Sequence, residues 1–472
     1  MKLSLKNIGP LEECNINIDG LTVITGLNST GKTTIGKALY SIISSTEDLQ
    51  ESALKDKIKY AFSILYDVIG QLQLYRIIEK IEVDCETIKK AISMIYENNK
   101  FSFISIFELY DFVEKFKYEL EKINIETLTK EETNKLRIPS IVQHFVKIKE
   151  VQVIKINELI DFLQSDKDLI RYTNYRIQKT LDVEFNNQIC KLDKIDGESN
   201  IRLYDENNTY FDIKLKKNKL NLGNINYFYT NFKNAIFLDD VHILDSLTNS
   251  VSDNESIIRY RSHFMNTNMK EFVFFENLSQ TNHSLNLLKK LRQSNHNIYS
   301  EMFVSESLKP ILEKINEVLP SDIYLSKGKF VYSKDELDIR NLATGMKIYS
   351  IIKILLQNGQ LSKDTLLVLD EPEAHLHPKW QNIFAEIIAI MAKDLGMKII
   401  LTTHSPNFLL AIDTYVRKYS IKEKTNFYKS SQMNSMYKVK NINDTIDESY
   451  AELSKPFLEM ENLYLKLINK ED

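Results

Sequence analysis

The sequence predicts an α/β protein in which a mixed sheet with flanking helices is interrupted by a large α-helical insertion. Three observations indicate this class. A short apolar strand, 21–25, leads through a glycine-containing turn into a helical pattern. Glycine and proline are absent between Gly70 and Pro139, where apolar residues recur at helical spacing. Two continuous apolar runs, 365–370 and 398–403, are typical of parallel strands buried on both faces.

The composition indicates a globular protein of a reducing compartment. The 472 residues are 43% hydrophobic and 27% charged, which suits several packed units rather than a disordered chain. Cys14, Cys85 and Cys190 lie far apart, which argues against a disulfide framework or a structural zinc site. The sequence shows no secretory leader and no apolar run long enough for a membrane span, so we expect a cytoplasmic protein. A net charge of -4 gives no whole-chain signal for nucleic acid.

We divide the chain into four segments. Residues 1–48 carry short strands and the first helix, and residues 49–200 form the helical insertion. Residues 201–415 return to strands and helices of the sheet domain, and residues 416–472 form a tail. In chain order, the elements predicted after the insertion are a hairpin over 201–215, a buried strand over 233–240, a hairpin over 323–333 turning at Lys327–Gly328, a helix over 378–394 and an amphipathic tail helix near 455–468.

The segment GLNSTGKTT, directly after the strand LTVIT, matches the phosphate-loop pattern G-x-x-x-x-G-K-[ST]. The two glycines let backbone N–H groups approach a phosphate, Lys32 reaches the β- and γ-phosphate oxygens, and the Thr33 hydroxyl ligates Mg²⁺. The following helix directs its N-terminal dipole at the same anion. The predicted nucleotide-binding residues of this loop are Gly26, Asn28, Ser29, Thr30, Gly31, Lys32, Thr33 and Thr34.

Acidic and imidazole side chains follow the two apolar strands of the C-terminal half. TLLVLD ends at Asp370 and Glu371, and KIILTT is followed by His404. Ligands of parallel sheets bind at the carboxyl ends of the strands, so these groups are expected beside the phosphate loop. We predict Asp370 as a metal residue together with Thr33, Glu371 as the general base, and His404 and Lys32 as catalytic groups that contact the γ-phosphate.

These motifs, in this order and with NLATGMK (341–347) ahead of the acid pair, resemble the ABC-type ATPases of the SMC, RecF and OLD (overcoming lysogenization defect) group. The resemblance covers residues 1–45 and about 225–415. It implies an ABC-type ATPase head that hydrolyses ATP with Mg²⁺. It also implies that two subunits sandwich the nucleotides, the phosphate loop of one meeting a signature turn of the other. The residues that occupy that turn are Leu342, Ala343, Thr344 and Gly345.

The sequence departs from the family pattern in three places. Ala343 lacks the hydroxyl that a signature serine offers to the γ-phosphate, which should weaken dimer closure without preventing it. Ser29 replaces the usual glycine of the phosphate loop. The family's Q-loop glutamine has no clear match, and Asp239 and Asp240 are the positional alternatives.

The run DEPEAHLHP followed by THSP looks like the OLD-like branch, and most like the ATPase subunits of the bacterial anti-phage systems Septu and, next, PARIS. The resemblance implies a homodimer or larger homo-oligomer, a separate nuclease subunit of HNH or Toprim type, and a nucleic-acid or phage-protein trigger. The stretch after His404 is short for a Toprim domain, so we expect the nuclease on another chain.

Other interpretations remain open from the sequence. A RecF- or SMC-like DNA-repair or chromosome-maintenance ATPase would bind DNA, with KLKKNKL (214–220) and KKLR (289–292) as basic contacts. A nucleotide-regulated scaffold would hardly turn over, and a transporter ATPase would need a membrane partner. A metal site formed by His375, His377 and His404 is a further alternative to their shaping of the local loop.

Overall fold

The fold is described from a computed structural model. The structure describes residues 1–74, 106–123, 139–164, 168–192, 197–221, 232–246, 282–292, 308–326, 329–332, 337–433 and 436–468. Contacts divide the chain into two compact units: a head that begins with residues 1–47 and resumes at 174, and a helical unit over 48–173. The sequence placed the end of the insertion at residue 200 instead. The difference arises because the last turns of one helix, around Ile177 and Leu181, pack into the core of the head.

The head is built on an eleven-stranded sheet with the strand order β6-β5-β4-β1-β2-β14-β13-β3-β12-β11-β7. Its strands are β1 (Lys2–Ile8), β2 (Leu11–Asn17), β3 (Leu21–Thr25), β4 (Ser199–Tyr204), β5 (Thr209–Lys216), β6 (Lys219–Leu220), β7 (Asn234–Leu238), β11 (Thr365–Asp370), β12 (Lys398–Thr403), β13 (Thr425–Met433) and β14 (Met436–Asn441). A separate antiparallel sheet contains β8 (Ile323–Ser326), β9 (Lys329–Tyr332) and β10 (Leu337–Asp338). The predicted hairpins over 201–215 and 323–333 are both present, although the turn residues Lys327–Gly328 lie outside the described residues.

The sheet is mixed. β7, β11, β12, β3 and β13 run parallel, whereas β1 pairs antiparallel with β2 and with β4. Side chains along β3 and β11 alternate between two hydrophobic cores, as the pleat of a strand buried on both faces requires. Leu21 and Leu367 face one core, and Ile24 and Val368 face the other. Because β7, β11, β12, β3 and β13 are parallel, their carboxyl ends meet at one edge of the sheet.

Helices cover both faces of the sheet. Those of the head are α1 (Lys32–Ser44), the end of α5 (Asp168–Glu184), α6 (His283–Arg292), α7 (Lys309–Asn316), α8 (Thr344–Gln357), α9 (Pro378–Asp394), α10 (Pro406–Lys418) and α11 (Ile446–Ile468). Buried residues of α1 join one core, and those of α8 and α9 join the other. The predicted fold class, an α/β head with a mixed sheet, flanking helices and a helical insertion, is confirmed.

The helical unit contains α2 (Leu49–Leu74), α3 (Ile106–Lys122), α4 (Pro139–Gln164) and the start of α5. Its core gathers the apolar residues that recur at helical spacing in the sequence, including Phe62, Leu65, Val113 and Phe116. The helical character that the sequence predicts for this segment is therefore present in its described residues. No described helix is long and apolar enough to cross a membrane.

The tail after residue 416 differs from its prediction. Only a helix near 455–468 was expected, but the tail also contributes β13 and β14, and the helix already begins at Ile446. β13 lies beside β3 in the middle of the sheet, with Thr425 opposite Leu21. The run TNFYKSSQM is too polar to be recognised as a buried strand from its sequence. It is buried in the structure because the neighbouring strands of the sheet cover it. The tail is part of the head.

Candidate nucleotide site

The phosphate loop joins β3 to α1 at the carboxyl edge of the parallel strands. Gly26 and Gly31 adopt φ values of 145° and 89°, a backbone region that favours glycine. Ser29 stands at φ 63°, so the position tolerates a serine only with a left-handed backbone. The Lys32 ammonium lies inside the loop and donates to the carbonyl oxygens of Gly26 at 3.0 Å and Leu27 at 2.9 Å. The loop thus surrounds a buried cation.

Asp370 lies at the end of β11, beside the first turn of α1. The Thr33 hydroxyl donates to its Oδ2 at 2.6 Å, and the Thr402 hydroxyl donates to its Oδ1. Burial raises the pKa of Asp370, an effect that the two hydroxyl donors partly oppose. A hydroxyl and a carboxylate meeting at a phosphate loop are hard oxygen donors of the kind Mg²⁺ prefers. The residues present therefore fit the predicted metal, with Thr33 and Asp370 as the groups that would hold it.

Glu371 has a strained backbone that directs its carboxylate into the site. Its φ is 49°, uncommon for a residue with a side chain. Its N–H donates to the carbonyl oxygen of Thr402 at 3.2 Å and to the Thr402 hydroxyl at 3.0 Å, which holds this conformation. The Glu371 carboxylate lies 3.4 Å from the Lys32 ammonium and 3.1 Å from Nδ1 of His404. One oxygen, Oε1, thus faces both basic groups.

A pocket of about 500 Å³ opens at this edge. It is lined by Pro10, Asn28, Ser29, Thr30, Gly31, Lys32, Thr33, Thr34, Asp370 and Glu371. The structure therefore brings the predicted loop residues and the acid pair together around one cavity. His404 does not line the pocket but contacts Glu371. Gly26 does not line it either, but its carbonyl oxygen accepts a hydrogen bond from Lys32. The signature-turn residues 342–345 are not among the residues that line this pocket.

The signature turn forms the start of α8. Ala343 is the N-cap and is exposed, and no side chain caps the helix there. Leu342 and Gly345 are buried, and a Cβ at Gly345 would lie 3.0 Å from the carbonyl oxygen of His375 and 3.0 Å from the ring of Trp380. Gly345 is thus required for close packing within this chain. No side chain caps the exposed start of α8, which is the arrangement that an anion-binding helix N-terminus requires.

Two threonines at the end of β12 contact the acidic residues of the site, although no sequence motif marks them. Thr402 connects Asp370 and Glu371 through one hydroxyl, as described above. The Thr403 hydroxyl donates to Glu373, whose burial raises the pKa of that carboxyl to about 7. The available signal was the register of parallel strands, which places 402–403 beside 370–371.

β13 supports the phosphate loop from behind. The Ser430 hydroxyl donates to the carbonyl oxygen of Thr30 at 2.6 Å in a buried position. A Cβ at Gly26 would lie only 2.3 Å from the carbonyl oxygen of Ser430, so the loop and the strand pack without room for a side chain. No sequence pattern near 430 resembles a nucleotide-binding motif, and this contact follows only from the strand order.

Asp239 and Asp240 follow β7, the neighbour of β11, and they differ in their contacts. Asp239 accepts from Nε2 of His283 at 2.9 Å, whereas Asp240 accepts the N–H of His242 at 2.8 Å in a local turn. The other ring nitrogen of His283 lies 2.6 Å from the buried Glu184. Burial alone would lower the pKa of His283. The hydrogen bonds and charges of Asp239 and Glu184 outweigh this effect and raise the pKa to about 9. The negative charge of Asp239 also contributes to the raised pKa of Asp370. Of the two candidates for the Q-loop position, Asp239 is therefore the one nearer the site.

Two sequence hypotheses for other sites change. No group of three or more metal-binding side chains occurs among the described residues, and His377 instead caps α9 by accepting from the N–H of Lys379 at 3.2 Å. The KKLR segment was considered as a DNA contact, but Lys290 is buried and donates to Glu47 at 3.0 Å and to the carbonyl oxygen of Ala235 at 2.8 Å. Lys290 is thus structural because a buried ammonium needs these acceptors.

Comparisons with solved structures return heads of SMC proteins at low identity. The SMC head bound to the C-winged helix domain of ScpA is 11% identical, with a TM-score of 0.38 over 95% of this chain and 98% of that chain. The SMC head domain from Thermotoga maritima is 10% identical, with a TM-score of 0.35 over 93% of this chain and 97% of that chain. An SMC head with a coiled coil and joint from Pyrococcus yayanosii is 11% identical, with a TM-score of 0.35 over 96% of this chain and 99% of that chain.

No curated protein matches the sequence. A protein family described as "AAA domain, putative AbiEii toxin, Type IV TA system" matches residues 21–411. That span begins at β3 and contains the phosphate loop, the signature turn, the acid pair and His404. Because it includes most of the chain and every residue that lines the pocket except Pro10, the protein belongs to this AAA-domain family.

Proposed function

We propose that the protein is the ATP-binding and ATP-hydrolysing subunit of a bacterial anti-phage complex, in which ATP-dependent dimer closure controls a separate effector nuclease. The observation that carries the enzymatic part is the meeting of Lys32, Thr33, Asp370 and Glu371 around one pocket. Lys32 and Thr33 belong to the phosphate loop, and Asp370 and Glu371 belong to the acid pair that follows β11. Their convergence supplies a cation, a metal-binding pair and a general base at one site.

The Lys32 ammonium and the loop N–H groups bind the triphosphate. The ammonium now donates to two carbonyl oxygens of the loop, and phosphate oxygens replace these acceptors when the nucleotide enters. Thr33 and Asp370 would hold Mg²⁺, which supplies neutralisation of phosphate charge when bound. Buried Asp370 gains from that neutralisation, because its charge lies in a poorly solvated position.

Glu371 orients and deprotonates the attacking water. Its carboxylate is held by the strained backbone and by the N–H bonds to Thr402, so little reorganisation is needed when the water binds. Oε1 faces Lys32 and His404, which are the two groups that contact the γ-phosphate in this proposal. When both turn to the phosphate, the carboxylate is released to accept the proton of the water.

A second copy completes the site. The residues 342–345 lie away from the chain's own pocket, and Ala343 leaves an uncapped helix start on the surface. An uncapped helix N-terminus favours an incoming anion, which supports contact with the γ-phosphate held by the partner. Because Ala343 offers no hydroxyl, closure is expected to be weak and to depend on the partner proteins.

The defence role rests on resemblance. DEPEAHLHP and THSP look like the OLD-like ATPases of anti-phage systems, and the description of the matching family as putative toxins of toxin–antitoxin systems belongs to the same field of bacterial conflict. A nuclease of HNH or Toprim type on another chain is the effector in this proposal. The trigger is a phage protein or a nucleic acid.

Two substitutions test the enzymatic step. Lys32→Ala should abolish nucleotide binding, and Glu371→Gln should preserve binding while lowering turnover by about two orders of magnitude or more. Steady-state ATP hydrolysis and binding of a fluorescent ATP analogue measure the two effects. Normal turnover in Glu371→Gln would refute the assignment of the base, and absent turnover in the native protein would favour the scaffold interpretation.

The defence role is tested in cells. Co-expression of the native protein with an HNH or Toprim nuclease encoded beside it should protect against phage, and Lys32→Ala and Glu371→Gln should each remove protection. Unchanged protection by either variant contradicts control of the effector by ATP.

The DNA-binding alternative is favoured by one surface. The β5–β6 hairpin presents Lys214, Lys216, Lys217 and Lys219 as exposed side chains. Lys219 lies 3.4 Å from Asp182 and Lys214 lies 3.7 Å from Glu198, so two of the lysines already pair with acids. A DNA-repair or chromosome-maintenance ATPase would bind duplex DNA through this hairpin with an affinity that falls steeply with salt. Lack of any duplex binding at low salt excludes it.

A further inference from the structure

The helix α11 leaves the head part-way along its length. Ile446 and Ser449 near its start are buried, and Leu453 packs against the core of the head. From residue 455 to 468 every residue is exposed. The described residues of this chain therefore leave the side chains of the second half largely uncovered.

This exposed half is rich in large apolar side chains. Phe457 is 72% exposed, Met460 64% and Tyr464 62%. The remaining exposed apolar side chains of this half are Leu458, Leu463, Leu465, Leu467 and Ile468. A helix of this length is marginal in water without packing, and an apolar surface of this kind on a soluble protein marks an interaction site.

Six residues of α11 follow a heptad pattern, and the exposed Leu458, Leu463, Leu465 and Ile468 lie beside it. Tyr450, Leu453, Phe457, Met460, Tyr464 and Leu467 are spaced alternately by three and four residues. This is the a/d seam of a coiled coil, in which side chains of one helix fit between those of another. The opposite face carries Glu452, Lys455, Glu459, Asn462 and Lys466, and Lys455 pairs with Glu459 at 3.7 Å. The helix thus separates a seam from a solvated face.

The seam is complementary to itself. Within the exposed half its a positions are aromatic (Phe457 and Tyr464) and its d positions are aliphatic (Met460 and Leu467), whereas Leu453 packs against the head. An antiparallel second copy places aromatic a residues against aliphatic d residues, so that large and smaller side chains alternate across the contact. The contact would also oppose the two helix dipoles.

The size of the surface fits a dimer. With aromatic side chains burying about 150–250 Å² each, Phe457 and Tyr464 alone offer about 300–500 Å² per copy. The exposed aliphatic side chains beside them extend this surface toward the roughly 800 Å² that a stable protein–protein interface buries on each partner.

We propose that the exposed half of α11 pairs antiparallel with the same helix of a second copy, forming a dimer contact that needs no nucleotide. This contact is distinct from the nucleotide sandwich and does not depend on ATP hydrolysis. It keeps two heads together so that the weak closure at Ala343 occurs within one assembly, where the effective concentration of the partner head is high.

The test is the oligomeric state of the full chain without nucleotide and with EDTA, measured by light scattering coupled to gel filtration. The native protein should be a dimer, and the double substitution Phe457→Glu and Tyr464→Glu should yield monomers or raise the dimer dissociation constant at least tenfold. The control, Lys455→Gln with Asn462→Glu, makes the same change in net charge on the solvated face and should remain dimeric. All four side chains are exposed, so circular dichroism should show intact folding.

Three results would overturn the proposal. They are a native protein that is monomeric at high micromolar concentration, a seam variant that dimerises as well as the native protein, and a control variant that dissociates equally. A monomeric native protein whose helix captures another protein or lipid vesicles also overturns it. Because no nucleotide is present, the result is independent of the proposed ATPase activity.

Discussion

At the scale of single residues, the acid pair depends on Thr402. Its hydroxyl accepts the N–H of Glu371 and donates to Asp370, so the loss of one oxygen affects both acids. Thr402→Val keeps the shape of the side chain. We expect turnover to fall about 10–100-fold and the half-saturating Mg²⁺ concentration to rise, as for partners of metal ligands, with nearly unchanged nucleotide affinity.

The control for Thr402 is Thr25→Val on the neighbouring strand. The buried hydroxyl of Thr25 has no hydrogen-bond partner among the described residues, so its removal should leave the Mg²⁺ dependence unchanged. Steady-state ATP hydrolysis across a Mg²⁺ titration measures both variants. A Thr402→Val protein that behaves like Thr25→Val would show that the hydroxyl does not support the acids.

His283 predicts a pH dependence of stability. Its pKa rises from 6.5 in the unfolded chain to about 9 in the fold, because Asp239 and Glu184 both bind the ring. A raised histidine pKa stabilises the fold fully below about pH 6.5, and this stabilisation is lost as the pH rises through 9. The loss amounts to at most about 3 kcal/mol.

Urea unfolding at pH 6.5 and pH 9 measures this loss. His283→Gln cannot gain the charge, so its free energy of unfolding should change less between the two values than that of the native protein. His242→Gln, at an exposed histidine that also meets a carboxylate, should retain the native difference. Equal pH dependence in the native protein and in His283→Gln would contradict the role given to the imidazolium.

At the scale of elements, the sequence predicts those that carry their own signal. The phosphate loop, β11, β12 and α9 were predictable because apolar runs, glycine turns and an N-terminal proline mark them locally. β13 was not, because its residues are polar on average and its burial comes from β3 and β14 on either side. The same reason separates the residues of the site. Those that belong to a motif were predicted, whereas Ser430 and Thr402 were missed because only the pairing of their strands brings them to the site.

The support of the phosphate loop by β13 is testable. Ser430→Ala removes the hydrogen bond to the carbonyl oxygen of Thr30 and leaves that buried oxygen with one donor fewer. A hydrogen bond contributes about 0.5–1.5 kcal/mol, so nucleotide affinity should fall about 2–12-fold. Ser431→Ala lies on the other face of the same strand and serves as the control. Calorimetric titration with ADP measures both, and equal affinities would show that the strand does not position the loop.

At the scale of the whole molecule, our proposal assigns the closure of two heads around ATP to the signature turn. The structure changes which substitution can test this. Gly345→Asp, which we expect to abolish closure by charge, would also force a side chain against His375 and Trp380 and disturb the fold of a single chain. Ala343 is the better position, because it is exposed and caps α8 without a side-chain bond.

Ala343→Ser should strengthen ATP-dependent dimerisation, because the hydroxyl regains the phosphate contact. Serine also caps α8 and adds about 0.5–2 kcal/mol to the stability of the free chain, so stability alone is no evidence for a contact in trans. Ala343→Asp separates the two effects: aspartate caps a helix as well as serine does, but its carboxylate repels a phosphate. In a Glu371→Gln background with ATP, sedimentation should show tighter association for serine and weaker association for aspartate, while both raise the melting temperature without nucleotide. If both substitutions change association in the same direction, the turn acts through helix stability, and the γ-phosphate is bound elsewhere.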